Sequence, residues 1–178
     1  MSTMTRRLFL VAASTEAMQT GANTPADSER AEHEKYMRRA IEVAANNRRA
    51  PFGALLVDRE RQKIMAEGWN KSAQHPAWHG EMDAINRCVE QHSKPEWSRL
   101  TLYTTAEPCS MCQSTVIWAG IPLVVYGTSV SGLIAMGWNQ IGIRADEVVA
   151  KSPFRRCRVL GGVLEKECNA LFVAARRQ

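Results

Sequence analysis

His79-Gly80-Glu81, read together with Pro108-Cys109-Ser110-Met111-Cys112, decides how the rest of the chain is interpreted. One imidazole and two thiols in this pattern offer a nitrogen and two sulfurs to a metal. That donor set suits one zinc ion per chain, with water or hydroxide in the fourth tetrahedral position. Three protein ligands and an open position mark a catalytic site rather than a structural one. Glu81 stands two residues beyond His79, too near to be a convenient fourth ligand. Its carboxylate is placed to take a proton from the metal's water and pass it on. Zinc brings the pKa of bound water to about 7, so hydroxide is available at neutral pH.

Other readings of these residues are weaker. A Cys-x-x-Cys pair alone fits a redox couple or half of a four-cysteine zinc site. A redox couple leaves His79 and Glu81 idle. A closed structural site needs a fourth ligand, and Cys88, Cys157 and Cys168 show no paired spacing among themselves. They read as buried apolar thiols.

The chain has 178 residues, 45% of them hydrophobic and 23% charged, which fits one globular domain with a sizeable core. Five cysteines, two of them committed to metal, argue against a disulfide scaffold and for a reducing compartment, the cytoplasm. The net charge of +5 permits nucleic-acid contact without demanding it, because basic and acidic residues are interleaved along the chain. Residues 1–26 read as an N-terminal arm and 27–178 as the single domain. Within the arm, Arg6-Arg7 followed by the apolar run Leu8 to Ala13 gives the alternative of a twin-arginine-like export signal. No segment approaches the roughly 20 apolar residues needed to span a bilayer.

Asp27 or Ser28 is placed to cap a helix running to about Asn46, with Tyr36, Met37, Ala40, Ile41 and Ala44 as its buried stripe. Gly53 to Val57 and Lys63 to Gly68 read as a hairpin. Gly53 at the strand entrance either eases a bend or lets a flat ring approach the backbone. Asn70 follows in a loop; its carboxamide can bond the edge of a base, although Asn in loops commonly serves turn chemistry. Trp78 either walls a pocket or packs into the core, and the core is the better reading from spacing alone. A helix from His79 to about Gln91 is expected to pack through Met82, Ile85 and Val89. The strand Leu100 to Thr105 leads to Glu107-Pro108 and a second helix beginning at Cys109, whose start favours thiolates. Leu123 to Tyr126 reads as an interior strand, Arg158 to Leu164 as a last short strand, and Glu165 to Ala175 as a final helix. Between them, Ser129 to Ser152 has no clear period; its Trp138-Asn139-Gln140 is a candidate pocket cover or subunit contact. Arg155, Arg156 and Arg158 form a basic cluster that is either a phosphate contact or, as such clusters more often are, a solvated face.

The pattern His-x-Glu followed by Pro-Cys-x-x-Cys is that of zinc deaminases of nucleobases, in which water replaces a ring amino group to give a carbonyl and ammonia. With both motifs at helix starts between strands, the chain resembles the cytidine deaminase-like superfamily over roughly Tyr36 to Thr128. Pro51-Phe52-Gly53-Ala54 is similar to the first-strand entry of bacterial guanine deaminases and transfer-RNA adenosine deaminases. Thr101 to Thr105, the Cys pair, Gly120-Ile121-Pro122 and the form His-Gly-Glu resemble fungal cytosine deaminases. The resemblance implies an α/β fold, a three-layer α/β/α sandwich with helices on both faces of a five-stranded mixed sheet, and a homodimer or larger assembly. It implies zinc on His79, Cys109 and Cys112, proton transfer by Glu81, a base held by Asn70, and the departing amino group met by the backbone around Glu107. The candidate substrate-contacting residues are therefore Asn70, Glu107, Trp78 and Gly53.

The function expected is hydrolytic deamination of a small nucleobase, nucleoside or close ring analogue, a free base such as cytosine or guanine being favoured. Editing of adenosine in transfer RNA is the alternative, with RNA the less favoured partner in the absence of a compact basic stretch. A catalytically silent zinc module is the rival of another class, and the intact Glu81 speaks against it.

Overall fold

The computed structural model describes residues 25–154 and 156–177. The arm expected over 1–26 and its twin-arginine reading fall outside these residues, apart from positions 25 and 26, as does Arg155. Helix α1 spans Pro25–Ala44 and passes into a 3-10 turn, Ala45–Asn47. After it come β1 (Gly53–Asp58), β2 (Lys63–Trp69), α2 (Gly80–Gln91), β3 (Leu100–Ala106), α3 (Ser110–Ala119) and β4 (Leu123–Thr128). The chain closes with α4 (Val130–Ala135), α5 (Ala145–Ala150), β5 (Arg158–Leu160) and α6 (Glu165–Arg176).

The five strands form one sheet in the order β2-β1-β3-β4-β5. β1 is antiparallel to β2 and β3, whereas β3, β4 and β5 run parallel. A tight hairpin serves the antiparallel pair, while the parallel strands need helical crossovers, supplied by α3 and then by α4 and α5. The mixed sheet follows directly from that connectivity.

Alternate residues of the central strands feed two cores, as a pleated strand requires. Ala54, Leu56, Leu102 and Val124 pack with Ala84, Ile85 and Cys88 of α2 and with Val116 and Ile117 of α3. Leu55, Val57, Tyr103, Leu123 and Val125 pack on the other face with Tyr36, Met37, Ala40 and Val43 of α1 and Cys168 of α6. The runs of buried residues in β1, β3 and β4 are continuous because both faces are covered. This is the three-layer architecture expected.

Two expectations are corrected. The packed face of α2 is Glu81, Ala84, Ile85 and Cys88, and Val89 is exposed. His79 caps α2 instead of belonging to it, and the face that turns inward is the one carrying Glu81. Gly53, read as easing a bend or admitting a ring, has a packing duty toward α1. A Cβ there would collide with the carbonyl of Ala40 and lie 2.6 Å from the amide nitrogen of Ala44, so the glycine lets α1 rest on β1. Gly80 has a similar duty: its Cβ would lie 2.7 Å from the carbonyl oxygen of Phe52. The glycine between His79 and Glu81 is thus required by the approach of α2 to the entrance of β1.

Candidate metal centre and active site

Two helix starts converge at one end of the sheet. His79 has an extended backbone and caps α2; Cys109, also extended, caps α3, and Cys112 lies buried in the first turn of α3. Gly120, at φ 85°, ends α3 in the left-handed conformation, and Ile121-Pro122 returns the chain to the sheet. His79 Nδ1 lies 3.6 Å from Cys109 Sγ and 3.7 Å from Cys112 Sγ, and the three donor atoms are all within 4.8 Å of one another. Zinc bonds of about 2.1 Å to nitrogen and about 2.3 Å to sulfur, at a tetrahedral angle, give an N···S edge of about 3.6 Å. The residues fit one zinc, and among the described residues no other cluster of such donors is drawn together.

The electrostatics of the centre favour an anion on sulfur. The Cys109 thiol is brought down to about 4, first by its hydrogen bond with Cys112 and then by its bond with His79, with burial opposing. Cys112 moves upward, first through its hydrogen bond with Cys109 and then through burial, with the charges of Glu81 and Cys109 acting in the same direction. The His79 imidazole is raised, chiefly by its hydrogen bond to Cys109.

Glu81 is buried at the floor of the same cavity, where Thr104 Oγ1 of β3 donates to its Oε1 at 3.3 Å. Burial pushes its carboxyl above the ordinary carboxylate range, and the neighbouring Cys109 charge acts in the same direction. Such a carboxyl is suited to accept and return a proton.

The cavity has a volume of about 820 Å³. His79, Glu81 and Cys109 form its floor, Phe52 and Asn70 one side, and Gly137 to Ile141 with Arg176 another. Phe52 and Trp138 meet edge to face at 5.4 Å between ring centroids, and both rest on Phe172 of α6. Trp138 Nε1 donates to the carbonyl of Phe172. The Trp138-Asn139-Gln140 stretch therefore stands at the cavity, as one of its two expected roles required. Asn70 also lies there, its Oδ1 accepting from the amide and hydroxyl of Ser72 at 3.1 and 2.8 Å. Its backbone is held by Phe52 and by Asn47; the carboxamide serves turn chemistry through its oxygen.

Trp78 occupies neither place weighed for it. It is 39% exposed, stacks on His75, and faces a groove beside Lys71 and Arg87 rather than the core or this cavity. The loop 71–79 turns the tryptophan outward while delivering His79 inward. Gly53 does not line the cavity either.

Glu107 lines the cavity, but its fully buried side chain is occupied elsewhere. Oε2 accepts from the amide of Val130 at 2.8 Å, Oε1 from that of Ala145 at 2.9 Å, and Arg144 Nε lies 3.5 Å from Oε1. Val130 and Ala145 open α4 and α5, where amides lack helical partners and a negative charge is favoured. Glu107→Ala leaves two buried amides unpaired. It is expected to cost about 3 kcal/mol, seen as a drop of roughly 10 °C in Tm in thermal unfolding, with an unchanged Tm opposing the clamp. Sequence reasoning did not anticipate this clamp, nor the places of Thr104, Phe52 and Arg176. Thr104 was within reach, since it alternates with Tyr103 onto the α2 face of β3. The contacts of Glu107 and Arg176 span segments with no period in common.

Residues 30–128 match the family model described as the cytidine and deoxycytidylate deaminase zinc-binding region. The chain belongs to this deaminase family. A tRNA-specific adenosine deaminase of Haemophilus influenzae is 33% identical over 153 residues, 82% of this chain and 85% of that protein. A probable cytosine deaminase of Schizosaccharomyces pombe is 32% identical over 104 residues, 57% of this chain and 63% of that protein. A guanine deaminase structure from Nitrosomonas europaea superposes with a TM-score of 0.72 over 94% of this chain and all of that one, at 22% identity, which is a likeness of fold. The sequence relatives are thus named for different rings, adenine in one and cytosine in the other. The family's shared region ends at β4, so α4, α5 and α6, which bring Trp138 and Arg176 to the cavity, lie beyond what the family model describes. Among the described residues no helix is long and apolar enough to cross a membrane.

Proposed function

We propose that the chain is a hydrolytic deaminase that holds one zinc ion through His79, Cys109 and Cys112 and removes the amino group of a nucleobase ring. The observation that carries this reading is the meeting of three donors at tetrahedral edge lengths with a buried Glu81 in a single cavity. Zinc, when bound, supplies an acidified water and positive charge. Glu81 takes a proton at its carboxylate and delivers it to the leaving amino group, while Thr104 fixes the carboxylate's orientation. The Asn70 amide nitrogen bonds an acceptor on the ring edge, and Phe52 with Trp138 excludes water from the ring face. Pro108 has no N–H, so the amide of Cys109 is the backbone donor nearest the reacting carbon. The backbone of Glu107 receives the departing amine.

The domain proposed is the whole of 27–178, and its assembly a homodimer; the exposed Trp118, stacked on Phe154 at 4.7 Å, suits a subunit contact. The five free thiols support a reducing compartment, the cytoplasm. Transfer-RNA editing stands as the second reading because the Haemophilus influenzae relative matches over most of both chains. The test is ammonia release by the zinc-loaded protein from cytosine, adenine and guanine, their nucleosides and nucleotides, and transfer RNA, with Glu81→Gln as blank. Release from any of these above the blank is expected. Silence across the panel with zinc bound returns the chain to the non-catalytic zinc module.

A further inference from the structure

Arg176, near the end of α6, reaches the cavity that holds His79 and Glu81 and packs over Gly137. A methyl group on Gly137 would lie 3.4 Å from Arg176 Nη2, and this residue has φ +83°. The guanidinium therefore lies against bare backbone, with no side chain intervening at that position. Among the described residues Arg176 forms no ion pair and no side-chain hydrogen bond. The two acids lining the cavity are not its counter-ions. Glu107 is buried against the amides of Val130 and Ala145, and Glu81 is held at the floor by Thr104.

A cavity of about 820 Å³ is near the upper end of the roughly 300–1,000 Å³ range of small-molecule sites. A single flat ring at the metal leaves much of it unfilled. The space remaining is bounded by the polar Asn139 and Gln140 and by an uncompensated guanidinium. A planar fork of N–H donors lacking an acid partner suits an oxyanion, phosphate above all. More such charge adjoins these lining residues along the chain. Arg48 and Arg49 immediately precede Ala50, which lines the cavity, and Arg177 follows Arg176; all three are exposed, and none is ion-paired among the described residues. Arg158, by contrast, faces Glu29.

We propose that Arg176 is a specificity residue that recognises a phosphate joined to the ring being deaminated, so that the preferred substrate is a nucleotide, free or within an RNA strand. The proposal rests on the deaminase reading above and amends the expectation of a bare base.

The experiment measures affinity in the zinc-loaded Glu81→Gln protein, which binds without turning over. The ligands are cytidine, adenosine, guanosine, their 5′-monophosphates and a short single-stranded RNA, with and without a second change, Arg176→Ala or Arg176→Lys. For whichever ring binds, the phosphorylated form is expected to bind about tenfold or more tightly than the nucleoside. Arg176→Ala removes that ratio and Arg176→Lys restores part of it. A gain confined to RNA that declines with salt identifies the strand as the source of the phosphate; a gain with the monophosphate identifies the free nucleotide. Equal affinity for nucleoside and nucleotide, or a gain that survives Arg176→Ala, overturns the proposal. Ammonia release by the wild-type protein separates the two failures: deamination without a phosphate advantage leaves the deaminase reading standing, and no binding together with no release from any ring removes both.

Discussion

Glu81→Gln is expected to keep its zinc and lose turnover by about 10³-fold or more. The amide has the size of the carboxylate and still accepts the hydrogen bond of Thr104, so the fold and the cavity are preserved. It cannot take a proton, and both the activation of water and the protonation of the leaving amine depend on that step. Metal analysis beside an ammonia assay reads the two effects separately. Wild-type turnover in this variant would remove Glu81 from the role assigned to it.

Cys109→Ala is expected to lose metal and activity together. Two donors remain, His79 and Cys112, and two ligands do not define a closed three-point seat for zinc. The expected reading is a fall from one zinc per chain to near none, with ammonia release at background. Cys88→Ala is the control, since Cys88 is buried in the core beneath α2; it loses packing but keeps its zinc. Full zinc stoichiometry in Cys109→Ala contradicts the ligand set.

The layers of the sheet and the meeting of the three donors were readable because each rests on a local signal. The stripe from Tyr36 to Ala44 gives α1, the apolar runs give β1, β3 and β4, and the two motifs place the donors at helix starts where the structure has them. What was not readable depends on segments meeting from far apart. The inward face of α2 was assigned from Met82, Ile85 and Val89 because apolarity was taken as the guide, whereas this helix buries a carboxylate, Glu81. Trp78 reads as interior because aromatics bury area well, but the loop around it turns its ring outward against His75. Ser129 to Ser152 showed no period because its helices are short and are secured by Glu107, a residue earlier in the chain. The place of Arg176 at the cavity was hidden for the same reason. Arg48-Arg49 and Arg176-Arg177 lie at opposite ends of the sequence, and neither pair alone is a basic run.

The buried carboxylate of Glu107 stands between the end of β3 and the first sulfur ligand, and its two oxygens tether the first residues of α4 and α5. The cavity wall at residues 137–141 is strung between those tethers like a span between two piers set in one foundation. Its sequence can drift while its ends remain surveyed from the same point as the zinc. A change within the span is therefore free to reshape the cavity without moving the piers or the donors beside them.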